Sequence, residues 1–495
     1  MPVTPSISRL ADRLAGVPSR VVAQLNRPRR RWVLLLGWAF SAIVFVSVVE
    51  LQGGLYQGDE SEVLPPTWAM AHGAFTCAYS NNGVITRHIY AAPLYSMVTA
   101  GLSVLFRIGH AVPFPMRALS ENSCATSVSS LLSWAARSGA SHPTMLLGYV
   151  APLALLLGAM SVLAVTSVRR TLWEMVALVT LALTPALFLA FAFYFHPQDV
   201  LAMGFVLGAV AAVASRRWGL SGALLGLAFT TQQFALLVIV LLLVLVPRVG
   251  RMRLVTGVGS ALVGVLTPLT LLAAPTQRLN VLRTMLLGSD RITIGANHFV
   301  STGGTVLFAA HLSGNALFVA SRVMPFIAVW LLAIWARRRL GARAFEPEVL
   351  LSLVGLSLGA RLIFEENLFG YYFLATAVVL VLLDATRGQL RASTFAWLVV
   401  QEFVFNFSDV HLPEVQAIVA ITIGATVTVV ILHGLSQGRI RWGALALLTF
   451  IVGSTYRFLS MVGLTSSPIP TWVWQVVLVP WVLISLAGPL RNQLP

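Results

Sequence analysis

Lysine is missing from this chain of 495 residues, and all 33 basic side chains are arginine. That absence removes Schiff-base chemistry, a lysine nucleophile and a lysine phosphate clamp. Charge is scarce altogether, at 10% of residues, where an ordinary soluble domain carries about 25%. A chain with so few charges cannot be wrapped in a water-soluble surface. Cysteine occurs only at Cys77 and Cys124. No P-loop occurs, so the glycine-rich cradle of a bound nucleotide is absent too.

What remains is apolar. Hydrophobic residues make up 57% of the chain and fall into repeated runs of about 20, each long enough to cross about 30 Å of hydrocarbon. Lipid offers no partner to backbone amides and carbonyls, so a spanning segment is a helix or part of a closed barrel, and these runs lack the alternation of barrel strands. The expected fold is all-α, a polytopic transmembrane bundle of about 12–14 helices. The runs lie near 32–51, 145–167, 172–194, 199–214, 219–231, 233–247, 254–274, 315–336, 348–363, 370–385, 394–407, 415–434, 442–456 and 471–488. The two short runs around Thr231 read as a helix hairpin or as one kinked helix.

A net charge of +16 in a soluble protein would suggest nucleic acid. Here the clusters Arg27 to Arg31, Arg169/Arg170, Arg216/Arg217, Arg248/Arg251/Arg253, Arg337 to Arg343, Arg387/Arg391 and Arg439/Arg441 recur at every second connection. That is the positive-inside pattern; it sets orientation, gives no reason to expect nucleic acid, and puts the N-terminus in the cytoplasm. Residues 1–31 then form a basic cytoplasmic segment whose apolar positions suit a surface-lying amphipathic helix. The run 32–51 reads as a retained first transmembrane helix, 52–144 as a long extracytoplasmic loop, and 145–495 as the remaining bundle.

Long connections usually carry function, and 52–144 is the longest polar interruption. Its apolar stretch 91–108 begins with Pro93, contains Arg107 and is followed by no cytoplasmic arginine cluster, so it is expected along the outer surface. That placement puts Cys77 and Cys124 on one oxidising side, where a disulfide can close the loop; two separate thiols are the alternative. Asp59 and Glu60 follow the first span directly, placed either to accept a hydroxyl proton or simply as solvated loop carboxylates. Arg87 lies in the same loop.

Further polar groups reach the same face. AFAFYFHPQDVLAM brings His196 and Asp199 to the start of a helix, where Asp199 either serves a ligand or complements the helix dipole. Arg278, Arg283 and Arg291 sit in 275–314, and Arg361, Glu365, Glu366, Tyr371 and Tyr372 cluster in ARLIFEENLFGYYF. Outward arginines run against the positive-inside bias. They fit an anionic, phosphate-bearing ligand, or else pair with Glu365, Glu366 or lipid headgroups.

The acidic motif Gly58–Asp59–Glu60, the stretch APLYSMVTAGLSVLF, HPQD at 196–199 with GALLGLAFTTQQFALL at 222–237, and the Arg361 to Tyr372 segment occur in that order. So arranged, the chain resembles the GT-C superfamily of membrane glycosyltransferases, above all actinobacterial proteins related to the family-87 polyprenyl-phosphate-mannose-dependent mannosyltransferases. The resemblance implies a catalytic role for the 52–144 loop with its juxtamembrane helices. It implies transfer of a sugar, mannose first, from a polyprenyl-phosphate donor to a glycolipid or glycan acceptor of the cell envelope, at the outer face of the plasma membrane. Asp59 would be the base and Glu60 its partner. Arg87, His196, Asp199, Gln232, Arg283, Arg361, Tyr371 and Tyr372 would hold donor or substrate. No cofactor and no metal are implied, and the partners are the lipid-linked donor, the acceptor and membrane lipids. This chain departs from the pattern at Gln198, where relatives often carry an acidic residue, and at Gln232, where they carry a lysine.

Three other functions fit parts of the sequence. A transporter or flippase would build its pathway from intramembrane charges, for which Arg322 and Glu402 are the candidates, whereas Glu174 and Asp384 fall near cytoplasmic ends. A ligase-like or polymerase-like enzyme of lipid-linked sugars would concentrate its function in a late external loop. A noncatalytic scaffold of envelope synthesis fits the missing lysine.

Overall fold

The structure, a computed structural model, describes residues 60–75, 92–115, 117–120, 123–125, 128–166, 195–272, 306–312, 314–365, 370–388 and 471–491, with single positions between 177 and 190 and between 391 and 398. These residues are helical almost throughout. In chain order the helices are α1 (Glu60–Ala71), α2 (Pro93–Leu105), α3 (Val128–Ser138), α4 (Ser141–Leu147), α5 (Val150–Val165), α6 (Pro197–Ala214), α7 (Trp218–Phe229) and α8 (Ala235–Leu245). There follow α9 (Arg248–Leu272), α10 (Val306–Ala309), α11 (Gly314–Arg339), α12 (Pro347–Phe364), α13 (Leu374–Thr386), α14 (Thr471–Leu486) and α15 (Gly488–Arg491). Proline opens α2, α6 and α12, where its missing amide hydrogen costs nothing.

The described residues are all-α as expected, with one short extended element beside the helices. Between α2 and α3 an antiparallel hairpin pairs β1 (Arg117–Ser120) with β2 (Ser123–Ala125), placing Ala118 opposite Cys124. Its sequence, RALSENSCA, has a polar centre suited to a tight reversal and no helical periodicity.

Five helical stretches among the described residues are long and apolar enough to cross a membrane: Ser141–Val165, Pro197–Ala214, Arg248–Leu272, Val319–Arg339 and Pro347–Phe364. Each falls on an expected span. Pro93–Leu105 is apolar but has 13 residues, about 20 Å of helix, which suits a segment lying against the bundle better than one crossing it. The ambiguous segment around Thr231 is a hairpin: the start of α7 meets the end of α8, with Trp218 and Val246 both packed on Gly250. The expected spans 32–51, 415–434 and 442–456, and most of 172–194 and 394–407, lie outside the described residues.

Close backbone approach organises the packing. A Cβ on Gly222 would collide with the Leu254 carbonyl, and one on Gly257 with the Gly219 carbonyl, so α7 and α9 meet backbone to backbone. Small residues do this where lipid supplies no hydrophobic drive to bring helices together.

The contacts define two ends. At one, Arg337 Nη1 donates to the Val244 carbonyl (3.2 Å), Arg387 pairs with Glu348 (3.5 Å) and Trp218 meets Phe345 edge-on (centroids 5.4 Å). Asp384, fully buried, accepts from Arg391 Nε (2.6 Å) and the Arg391 amide (2.9 Å) at that same end. The arginine-bearing connections after α6, α8, α11 and α13 therefore share one side of the bundle. At the opposite end the Leu94 amide donates to the Thr230 carbonyl (2.9 Å), seating the start of α2 on the α7–α8 turn.

α1 to α4 form a layer with an aromatic centre. Trp68 and Trp134 meet edge-on at 5.7 Å, Trp68 Nε1 donates to Thr144 Oγ1 (3.1 Å), and His72 stacks on Phe114 at 4.7 Å beside His110 at 4.5 Å. Burial, with the nearby His110 ring adding to it, pushes the His72 imidazole down to about 4.

Candidate functional site

Four chain segments meet at the end of the bundle opposite the arginine-bearing connections. The first enters through Phe195, a non-glycine residue with φ of +51°, a conformation seen mainly where surrounding structure enforces it. This left-handed step turns the chain just before Pro197 starts α6. His196, Gln198 and Asp199 are all buried there, and Gln198 Nε2 lies 2.9 Å from His196 Nδ1.

The α7–α8 turn is the second segment. Thr231 Oγ1 donates back to the Leu227 carbonyl (2.7 Å) and the Gln232 amide to the Ala228 carbonyl (2.8 Å), tying off the end of α7. The Gln233 amide donates to Gln232 Oε1 (3.0 Å), which directs the Gln232 –NH2 group onto the Asp199 carboxylate. Where a lysine would form an ion pair, a neutral amide meets the acid.

The last turn of α12 and the 3-10 turn Gly370–Phe373 supply the rest. Arg361 donates through Nε to Glu365, which is only 3% exposed, and its guanidinium carbon stands 4.1 Å from the centre of the Tyr372 ring. Tyr372 meets Tyr371 edge-on (4.7 Å), and Tyr371 stacks on His196 (4.2 Å). A continuous chain of contacts thus runs from Arg361 through Tyr372 and Tyr371 to His196. A narrow crevice beside it is lined by Asp199, Phe234, Leu358, Arg361, Tyr371 and Tyr372.

The arrangement brings a carboxylate and a guanidinium to one apolar-walled crevice. Asp199 accepts hydrogen bonds, as a ligand hydroxyl requires, while Arg361 suits an anion. Nothing in the described part gathers three or more histidine, cysteine or acidic side chains as a metal site would.

Of the residues singled out in the sequence, His196, Asp199, Gln232, Arg361, Tyr371 and Tyr372 come together here. Asp59, Cys77, Arg87 and Arg283 lie outside the described residues; Glu60 opens α1, and Cys124 lies on β2. Arg361 forms its ion pair with Glu365, the pairing foreseen as the alternative to a ligand. Arg322 also reaches Glu365 (3.7 Å) and so joins this cluster, whereas Glu402, its supposed midplane partner, lies outside the described residues.

Gln475 was not foreseen. From α14 its Nε2 donates to the carbonyls of Leu362 (2.7 Å) and Ile363 (3.1 Å), while Oε1 accepts from the Val306 amide (2.8 Å). It thereby ties down the turn that bears Arg361. The signal was one polar residue in the apolar run TWVWQVVLVPW. Compared with protein-family models and with curated proteins, the chain matches none.

Proposed function

We propose that the protein is a GT-C-type membrane glycosyltransferase, taking a sugar, mannose as first candidate, from a polyprenyl-phosphate donor and passing it to a glycolipid or glycan of the cell envelope. The observation that carries the reading is the crevice where Asp199 and Arg361 meet, at the end away from the arginine-bearing connections. A phosphosugar needs both groups: an acceptor for sugar hydroxyls and a cation for phosphate. By the positive-inside rule this end faces outward, which puts the reaction at the extracytoplasmic face of the plasma membrane.

In this mechanism an acceptor hydroxyl attacks the anomeric carbon as the bond from that carbon to the phosphate oxygen breaks. The hydroxyl proton passes to Asp59, with Glu60 beside it in sequence, and polyprenyl phosphate leaves with the bonding electrons. Arg361 and His196 meet the charge growing on the leaving phosphate. Asp199, steadied by Gln232, holds sugar hydroxyls, and the prenyl chain stays in lipid along the apolar helices.

The neutral Gln232 in a position suited to lysine favours one second reading, a noncatalytic protein that binds the same lipid. Membranes carrying the intact protein, Asp59→Asn or Arg361→Gln are given labelled polyprenyl-phosphate mannose and native envelope lipids, with transfer normalised to protein level. Transfer by the intact protein alone supports the enzyme and both roles. Equal, robust transfer by Asp59→Asn removes Asp59 as base, and donor binding without transfer by any of the three favours the second reading.

A further inference from the structure

Glu365 is a buried carboxylate facing two arginines from different helices, Arg361 of α12 and Arg322 of α11. A carboxylate buried beside the bilayer loses its hydration and needs that compensation. The converse matters more: Glu365 holds two partly exposed guanidinium groups together, one of them, Arg361, in the wall of the crevice. Two positive charges and one negative leave this trio cationic. Arg361 donates to Glu365 through Nε, and Asp199 and Tyr372 face the same guanidinium in the crevice. Gln475 holds the Leu362 and Ile363 carbonyls, so the turn carrying Arg361 is braced independently of the ion pair.

We infer that Glu365 is the resident anion of an exchange site: the phosphate of a lipid phosphate takes Arg361, and with it Arg322, over from the Glu365 carboxylate. The inference rests on reading the crevice as a lipid-phosphate site. Phosphate offers guanidinium more acceptor oxygens than a carboxylate does, and it arrives with a sugar whose hydroxyls face Asp199. Glu365 then has two effects. It stores the arginines in binding geometry while the site is empty, and it competes with the ligand, weakening the hold on a phosphate that must leave after each turnover.

The test is binding by the full-length protein in nanodiscs, using farnesyl phosphate, farnesol and inorganic phosphate as probes. Glu365→Gln is expected to bind farnesyl phosphate about tenfold more tightly, with farnesol unchanged and inorganic phosphate weak throughout. Because two unbalanced arginines can compromise folding, Glu365→Gln with Arg322→Gln is measured beside Arg322→Gln; both lack Arg322, so the double variant, in which Arg361 is freed, is expected to bind more tightly than the single one. Farnesyl phosphate binding by a folded double variant that is no tighter than that of Arg322→Gln overturns the inference. Inorganic phosphate binding as tightly as farnesyl phosphate overturns the lipid part. Tighter binding without any sugar transfer defeats the transferase reading and leaves this one standing; transfer with Glu365-independent binding does the reverse.

Discussion

His196 lies nearly flat on Tyr371, ring centroids 4.2 Å apart and planes 17° apart. The stack joins the start of α6 to the turn before α13 and holds the imidazole beside the crevice. Such ring pairs contribute about 0.5–1.5 kcal/mol beyond their buried area. Tyr371→Phe keeps the ring and loses only the hydroxyl's hydrogen bond with Tyr372, a cost of about 1 kcal/mol, while Tyr371→Leu lowers thermal stability in detergent further and weakens donor binding. Equal behaviour of the two variants would show that the stack does not position His196.

Gln232 and Asp199 form the second test. Gln232→Leu leaves the Asp199 carboxylate short of a donor, at a cost of about 1–3 kcal/mol. Gln232→Lys supplies an ion pair instead and should be at least as stable as the parent. Denaturation monitored by tryptophan fluorescence would rank the three proteins. A leucine variant as stable as the parent would mean that Asp199 is satisfied without Gln232.

The glycine seam between α7 and α9 predicts a contrast. Gly222→Ala drives a methyl into the Leu254 carbonyl and should destabilise by about 1–3 kcal/mol, as overpacking does. Gly259, also in α9, has open space where a methyl would stand, with no neighbouring atom within 4 Å, so Gly259→Ala should stabilise by about 0.5–1 kcal/mol through chain entropy. The same unfolding measurement, run on both, should give opposite signs.

His72 predicts a pH dependence. In the unfolded chain its imidazole takes up a proton near 6.5; in the folded protein it does so only at about 4. Between those values the unfolded state binds more protons, so stability is lost as pH falls through this window and regained as it rises. His72→Phe, which keeps a ring against Phe114, should flatten the pH profile of the melting temperature between 6.5 and 4. A profile unchanged by the substitution would place the acid sensitivity elsewhere.

The helices were legible because lipid imposes a blunt rule: a run of apolar residues between polar connections has few alternatives to a helix, and the spans expected from 199 and 348 begin at Pro197 and Pro347. That His196 and Tyr371 share one end followed from counting alternate connections. The partners within that end were not legible. Gln232 reaching Asp199 depends on the α7–α8 turn, which a kinked helix would have placed elsewhere. Arg322 sits in the third turn of α11, and neither depth nor charge distinguishes Glu365 from Glu402 as its partner. Gln475 acts through backbone carbonyls, which leave no trace in side-chain patterns. The β1–β2 hairpin was hidden because a two-stranded ribbon of three and four residues carries too few positions for a periodicity.

α7 and α8, at 12 and 11 residues, rise about 18 and 17 Å, roughly half to two thirds of the usual hydrocarbon thickness. Their far ends are pinned by Arg216 and Arg217 on one side and Arg248 on the other, so the hairpin cannot slide to compensate. Polypeptide fills the shortfall: the Leu94 amide of α2 sits on the Thr230 carbonyl, and Thr230 and Thr231 are fully buried, so the hairpin tip is a packing surface between two layers of helices.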